Sequence, residues 1–252
     1  MKKTFIFFSL LIFNLCIVFA QNVQEANKEP AENVITLTVD DASEFAKKNN
    51  LSIKTSEISL AKNEKLYKFS SYGIKISELT GATLIGNPTH LSSPYAYLNK
   101  LFVPLNDVEL KELQNTLSIQ IPKTYAYFLT SFSNGLKILG TTLCLDGLRK
   151  ITGRGIEASY QPFDIHTTNG PERPKNAKES YFFIGGYDWD GSNLYIDTET
   201  ERVHFCTRWD ATSLYSWDSL ENMLLSEIDR LYDLFTEDGL CIDEDKSTLP
   251  ID

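Results

Sequence analysis

The chain has 252 residues, 42% of them hydrophobic and 12% aromatic, enough to bury a large core in one domain or in one domain with a smaller companion. Its formal net charge is −10, from 24 basic and 34 acidic side chains. Such acidity argues against general binding to nucleic acid or anionic lipid, which would repel the chain, and suits a cationic protein partner, although it also serves solubility.

The first twenty residues have the pattern of a secretory signal peptide. Lys2 and Lys3 form a positive start, the run Phe5–Phe19 is apolar except for two polar residues, and Ala20 provides a small residue at the cleavage position. We therefore expect residues 1–20 to be removed and the protein to be periplasmic or secreted. An uncleaved N-terminal membrane anchor is the alternative.

The region before the main domain is predicted to be a flexible lead at 21–33 and a small α+β extension at 34–94. Whether the extension is a separate appendage or an elaboration of the main sheet stays open from the pattern alone. Its hydrophobic pattern predicts a strand at Val34–Val39 and a short helix at Asp41–Asn49. Further short strands or half-buried edges are predicted at Leu51–Ile53, Leu66–Phe69 and Tyr72–Ile76.

Two helices begin the main domain, which we place at residues 95–236. The first follows the capping-box run Asn106–Glu109, and the second starts at Pro122, whose missing N–H costs no hydrogen bond at a helix start. The pair Asn134–Gly135 ends the second helix. The aromatic stripe inside that helix is predicted to be core and not a binding site.

Strands and one more helix complete the domain. Two apolar runs between residues 136 and 145 predict strands, and the long polar segment 149–180 is typical of a functional or mobile connection. Helical spacing predicts an amphipathic helix over 217–235 with Ser216 as its N-cap, and the acidic tail 237–252 is expected to be loosely held. This order of elements predicts an α+β fold, an antiparallel sheet flanked by helices.

Residues 181–208 predict an antiparallel meander. An aromatic run ends at Gly185 and Gly186, which indicate a bulge or a close backbone approach. Gly191 is expected to supply a positive φ in the acidic turn that follows. Two alternating strands come next, joined by a hairpin connection that starts at Asp197.

No catalytic motif stands out. The GxSxG, HExxH, P-loop and GxGxxG patterns are missing, and Ser59–Lys62 matches SxxK without its companion motifs. His204 and Cys206 share a strand face, but two ligands do not make a metal site. We therefore expect no enzyme activity, no cofactor and no metal.

The acidic turn and the cysteines raise two further possibilities, a calcium site and a disulfide. Asp188, Asp190, Ser192 and Glu199 fall at EF-hand positions one, three, five and twelve, but position six is Asn193 where glycine is needed, so an acidic hairpin turn is the preferred interpretation. Three cysteines follow the signal segment and are expected to be mainly buried thiols, although one disulfide is possible: Cys144, Cys206 and Cys241.

Two blocks of short motifs follow one another along the chain. The first is a helix, a proline step, an aromatic helix and an Asn-Gly stop. The second is a glycine-acidic turn, a strand ending in Asp, and a closing helix. The residues that carry these blocks are Pro122, Tyr125, Asn134, Gly135, Gly185, Gly191, Asp197 and Trp217. Over about residues 104–235 the chain resembles the SUKH superfamily, which groups bacterial toxin-immunity proteins with fungal regulators of cell-wall synthesis.

The resemblance implies a non-enzymatic, immunity-like module that neutralises a toxin by protein–protein contact, its acidic surface covering a basic active-site cleft. An exported envelope-associated scaffold or ligand-binding protein on the same fold is the alternative. The candidate contact residues, whose tryptophans are either exposed hot spots or partly buried packing residues, are Asp188, Trp189, Asp190, Trp209 and Asp210.

Overall fold

A computed structural model describes residues 64–91, 93–153 and 155–251. The predicted signal peptide, the flexible lead, the strand at Val34–Val39, the helix after it, the strand or edge at Leu51–Ile53 and the SxxK match lie outside these residues. No helix among the described residues combines the length and the apolar character needed to span a bilayer.

In the described residues, nine strands form one antiparallel sheet in which each strand pairs with the next along the chain. This confirms the predicted α+β fold. The first strand pairs with the second and the second with the third, so the described part of the N-terminal extension is continuous with the sheet. The strands are β1 Ile74–Ile76, β2 Thr83–Ile85, β3 Asn99–Leu101, β4 Leu136–Ile138, β5 Leu143–Leu145, β6 Tyr181–Tyr187, β7 Asn193–Asp197, β8 Arg202–Cys206 and β9 Tyr215–Trp217.

The strand predicted at Leu66–Phe69 is wrong. Residues 64–66 are helical, a turn follows, and Ser70–Tyr72 is a 3₁₀ helix. Leu66 and Phe69 are both buried in the main core. Residues three apart lie on one side of a helical turn, and this spacing is what buries both side chains.

Besides the helical residues 64–66, five α-helices accompany the sheet in the described residues: α1 Asp107–Thr116, α2 Lys123–Ser131, α3 Ile156–Ser159, α4 Ile165–Thr168 and α5 Leu220–Tyr232. Helix α2 begins at Lys123, one residue later than predicted, and Pro122 is its N-cap. The last helix is shorter than predicted, because Ser216 and Trp217 belong to β9 and Trp217 pairs with Val203. Its N-cap is Ser219, whose Oγ accepts a hydrogen bond from the Asn222 N–H at 3.1 Å.

The capping box at the start of α1 is present. The Asn106 side-chain oxygen accepts from the N–H groups of Val108 and Glu109, both at 3.0 Å, and the Glu109 carboxylate accepts from the Asn106 N–H at 3.0 Å. We expect Asn106→Ala to lower the free energy of unfolding by about 1 kcal/mol and Asn106→Gly by only a few tenths. Urea unfolding measures both, and equal losses would contradict this role of the Asn106 side chain.

The two faces of the sheet differ. One face packs on α1, α2 and α5 and forms the main apolar core. The other face, called the second face below, is partly covered by the segment 149–180, which carries α3 and α4. Two smaller apolar clusters lie there, around Leu84 with Tyr160 and around Phe183 with Tyr195.

The acidic tail is held against the domain, contrary to expectation. The Arg230 side chain donates to the Thr248 carbonyl at 2.8 Å, and Phe235 forms an isolated β-bridge with Cys241. Leu249 and Ile251 pack against the main core. The tail is ordered because it contributes these apolar side chains as well as its carboxylates.

Candidate functional site

A cleft of about 500 Å³ opens on the second face of the sheet. Its floor is made by neighbouring positions of three strands: Cys144 of β5 pairs with Gly186 of β6, which pairs with Asn193 of β7. Since Gly186 has no side chain, the middle of this floor is open backbone. The predicted close approach at the Gly-Gly pair therefore lies at the base of the cleft.

A bulge in β6 sets which residues face the cleft. The register against β7 shifts between Phe183 and Gly185, as the Gly-Gly pair indicated. Phe183 and Gly186 are three positions apart, yet both lie on the second face because the bulge inserts one extra residue. Gly185 has a φ of 136°, a conformation in which glycine is strongly preferred.

The motif residues of the first block converge on Asp146, directly after β5. Tyr125 reaches from the core face, and its hydroxyl donates to the carbonyls of Asp146 at 2.5 Å and Ile184, in the bulge, at 3.1 Å. The Asn134 side chain accepts from the Leu148 N–H and donates to the Leu148 carbonyl, both at 2.8 Å. The backbone on both sides of Asp146 is therefore fixed by hydrogen bonds.

The Asp146 carboxylate faces the cleft from this fixed position. The residue is only 2% exposed, and its Oδ2 accepts a hydrogen bond from the Thr168 hydroxyl at 2.9 Å. Burial raises the pKa of the Asp146 carboxyl to about 6. Within the described residues, no Lys or Arg nitrogen lies within 4.0 Å of it.

The remaining walls are polar and more acidic than basic. Ser192 is 2% exposed, and its hydroxyl has no hydrogen-bond partner among the described residues. Two guanidinium groups line the cleft, and that of Arg208 lies 3.5 Å from the Glu172 carboxylate. The charged lining consists of four carboxylates and two guanidinium groups, from Asp146, Asp164, Glu172, Asp188, Arg149 and Arg208.

The structure places the five candidate contact residues around two loops at one side of the cleft. The turn that follows β6 and the loop that follows β8 are adjacent, since the Asn193 side chain donates to the Arg208 carbonyl at 3.0 Å. Both tryptophans are solvent-exposed, Trp189 by 47% and Trp209 by 63%, so neither is a buried packing residue. The Arg208 guanidinium lies 4.8 Å from the centre of the Trp209 ring.

The two tryptophans lie toward different hollows. Trp209 follows Arg208 at the rim of the cleft. Trp189 instead lines a second, shallower hollow beside the C-terminal segment, together with Phe235 and Cys241. Asp188 lines both hollows, and its Oδ2 accepts from the Thr141 hydroxyl at 2.6 Å.

Asp190 and Asp210 have local structural partners. Asp190 accepts from the Ser192 N–H at 2.9 Å and so forms the turn. Asp210 accepts from the Thr212 N–H at 2.8 Å and from the Asn176 side chain at 2.7 Å, and these hydrogen bonds lower its pKa. Both carboxylates are exposed and remain acceptors for a partner as well.

The other motif residues are structural in placement. Gly135 and Gly191 have φ values of 89° and 72°, as the expectation for Gly191 required. A Cβ on Gly191 would lie 3.2 Å from the Arg208 side chain. Asp197 accepts from the Glu199 N–H in the hairpin turn at 3.1 Å, and Trp217 belongs to the main core.

Nucleophilic chemistry has little support in the cleft. Burial raises the pKa of the Cys144 thiol to about 12, which leaves it protonated and inert. Outside the cleft, His166 lies 2.8 Å from the Thr116 hydroxyl and 2.7 Å from Asp164, the spacing of a hydrolase triad. However, the Thr116 hydroxyl also lies 2.9 Å from the Leu113 carbonyl within α1. It is an exposed helix-end residue that does not line the cleft.

Metal chemistry fares no better. The part of the chain that the structure describes contains no group of three or more His, Cys, Asp or Glu side chains arranged to hold a metal ion. The EF-hand match falls on a β-turn, because Asn193 begins β7. His204 stacks on Tyr195 with ring centres 5.0 Å apart and bonds the Ser213 hydroxyl. Cys144, Cys206 and Cys241 are free thiols.

Residues 104–226 match the model of the SMI1/KNR4 family (SUKH-1), a stretch that contains both motif blocks. These residues form a SUKH domain. Neither the curated proteins nor the solved structures show a significant match to the chain. The SUKH superfamily is generally non-enzymatic and includes immunity proteins and regulators, and its immunity proteins bind partner proteins.

Within the SUKH domain, sequence reasoning missed the two most informative residues. The sequence pattern assigned no role to Asp146, which directly follows a predicted strand, and it placed Ser192 only in the EF-hand count. The available signal was an Asp-Gly pair directly after a buried apolar strand, opposite the Gly-Gly pair. It becomes specific only once the register places Cys144 beside Gly186.

Proposed function

We propose that this chain is an immunity-like protein that binds a toxin with a basic surface through the cleft on the second face and the two loops beside it. The observation that carries the proposal is the exposed pair Trp189 and Trp209, flanked by carboxylates, next to a cleft whose lining is mainly acidic. Exposed aromatic residues of this kind are the usual anchors of protein interfaces.

Charge supports the same partner class. The whole chain is acidic, and long-range attraction to a basic protein raises the rate of encounter. By this proposal the chain inhibits by covering the toxin's active site and performs no reaction itself. The signal-peptide pattern at residues 1–20 adds a proposed place of action, the periplasm or the exterior.

Co-expression tests the biological role. The protein encoded beside this gene is produced with and without the chain, and we expect the chain to restore growth. Co-purification of the two proteins then tests whether the rescue comes from direct binding. If the chain restored growth against none of the proteins encoded by its neighbouring genes, the immunity role would be contradicted.

Substitution of Trp209 tests the interface. We expect Trp209→Ala to weaken binding to that partner at least tenfold, because truncation of an aromatic anchor costs about 2 kcal/mol or more. The matched control is Leu79→Ala, since Leu79 is also an exposed apolar residue, 56% accessible, but lies between β1 and β2. Titration calorimetry measures both variants, and equal effects would contradict a local interface at Trp209.

The signal-peptide pattern also supports a second candidate, an envelope-associated scaffold or ligand-binding protein on the same fold. Affinity capture from envelope fractions distinguishes the two. Recovery of envelope components without a toxin, together with no growth rescue, would favour the second candidate.

A further inference from the structure

We propose that the cleft on the second face is a socket for an arginine side chain of the partner protein, with the guanidinium group held by the Asp146 carboxylate and the Ser192 hydroxyl. This inference rests on the proposed protein-binding function and specifies the chemistry that its cleft recognises. It depends on two buried polar groups that the domain itself leaves without a full set of partners.

The first of these groups is Asp146. Its carboxylate is 98% removed from solvent, receives one described side-chain hydrogen bond, from Thr168, and has no described ion-pair partner within 4.0 Å. A buried carboxylate is costly unless it is paired or fully hydrogen-bonded. Four hydrogen bonds between the side chains of Tyr125 and Asn134 and the nearby backbone nevertheless hold this position in place. A cation from outside would complete the missing interactions.

The second group is the Ser192 hydroxyl, which lines the same cleft. Its oxygen is buried and has no partner in the described residues, whereas buried hydroxyl groups are normally hydrogen-bonded. Both groups line the same cleft, so a ligand that enters it with several N–H donors meets a second acceptor here. Two incomplete polar groups in one cleft point to a ligand that carries several donors.

The occupant is better matched by guanidinium than by a metal ion or an anion. The described residues offer no cluster of three metal-ligand side chains, and carboxylates outnumber guanidinium groups in the lining. A guanidinium group presents five N–H donors in a plane, which suits several separate acceptors. Phe163, a half-exposed aromatic residue of the lining, already has the Lys137 ammonium 3.8 Å from its ring centre, so its ring is a surface on which a cation packs in this fold.

The pH dependence follows from the surroundings of Asp146. Burial raises its pKa to about 6, so protonation competes with a bound cation below that pH. We expect affinity for the cation to fall as pH drops through about 6. The charged and titratable groups that act on this carboxyl or line the cleft with it come from β4, β5, the segment 149–172, the turn after β6 and the loop after β8. They are Lys137, Cys144, Arg149, Asp164, Glu172, Asp188 and Arg208.

An NMR titration with blocked arginine, Nα-acetyl-L-arginine amide, tests the socket. We expect saturable shifts of the amide signals of Ser192, Asn193 and their cleft neighbours, with a dissociation constant on the order of 1–10 mM for so small a ligand. Blocked citrulline has the same shape without the charge and should not saturate. Blocked lysine should bind more weakly, and equal binding of lysine would overturn the preference for guanidinium.

Two variants complete the test. Asp146→Asn keeps the shape and the acceptor for Thr168, and we expect it to weaken arginine binding at least tenfold. Asp107→Asn makes the same change of charge at an exposed carboxylate in the first turn of α1, outside the lining, and should leave binding within about twofold. Equal losses would show a diffuse electrostatic effect, and no saturation with arginine would overturn the socket outright.

The partner protein separates this inference from the proposed function. If Trp209→Ala weakens binding of the partner protein while Asp146→Asn does not, the protein interface stands and the arginine socket fails. If blocked arginine binds through Asp146 but no protein partner is found, the socket stands and the immunity role fails.

Discussion

Gly185→Ala is expected to lower the free energy of unfolding by about 3 kcal/mol or more, the sum of backbone strain and overpacking. A Cβ at this position would lie well under 3.0 Å from the carbonyl oxygen of Cys144, in the adjoining strand. Neither backbone can move without loss of the β5–β6 pairing that forms the floor of the cleft. Chemical denaturation of the purified chain measures the loss.

Gly140→Ala is the matched control. Gly140 also has a positive φ, 75°, but a Cβ there would meet nothing within 4 Å. Only backbone strain then acts, and we expect a loss of about 1 kcal/mol. Similar losses at the two glycines would mean that the close approach of β5 and β6 contributes nothing.

Asp146→Asn is expected to raise the free energy of unfolding above that of the wild type at pH values above 6. This difference between variant and wild type should be about 3 kcal/mol larger there than in acid. The folded-state pKa of Asp146, about 6, lies above the ordinary 3.8, so the folded protein holds this proton more tightly than the unfolded chain. The protonated group therefore stabilises the fold fully below pH 3.8, and this contribution is lost as pH rises through 6. Asparagine does not titrate and keeps its contribution.

Parallel unfolding of the wild type and Asp146→Asn in the same buffers, from about pH 3.5 to about pH 8, isolates this effect because other titrating groups cancel. The difference in unfolding free energy should grow in favour of the variant with rising pH. A difference that is independent of pH would show that the carboxylate is not held in a costly environment. A variant more stable yet weaker in binding would identify Asp146 as a residue retained for recognition.

Local signals in the sequence were sufficient where one short pattern has one physical solution. The capping box at Asn106, the positive φ at Gly191, the hairpin at Asp197 and the bulge at Gly185 all depend on neighbours within a few residues. The antiparallel α+β fold followed from the order of such elements.

Features that depend on distant partners were missed. The short apolar pattern of Leu66–Phe69 fits a strand or half-buried edge as well as a helical turn, and burial of Leu66 and Phe69 in the core selected the helical turn. Trp217 was assigned to the last helix because its spacing fits, whereas pairing with Val203 makes it the end of β9. The burial of Asp146 arises from Tyr125, Asn134 and the α4 segment together, which no local window contains.

Hydrogen exchange on the chain with its partner bound tests the central claim most directly. We predict new protection in the loops that surround the cleft, at residues 163–172, 188–192 and 207–210, with little change on the face of α1 and α5. Protection confined to α1 and α5, with the cleft loops exchanging as in the free protein, would contradict the account.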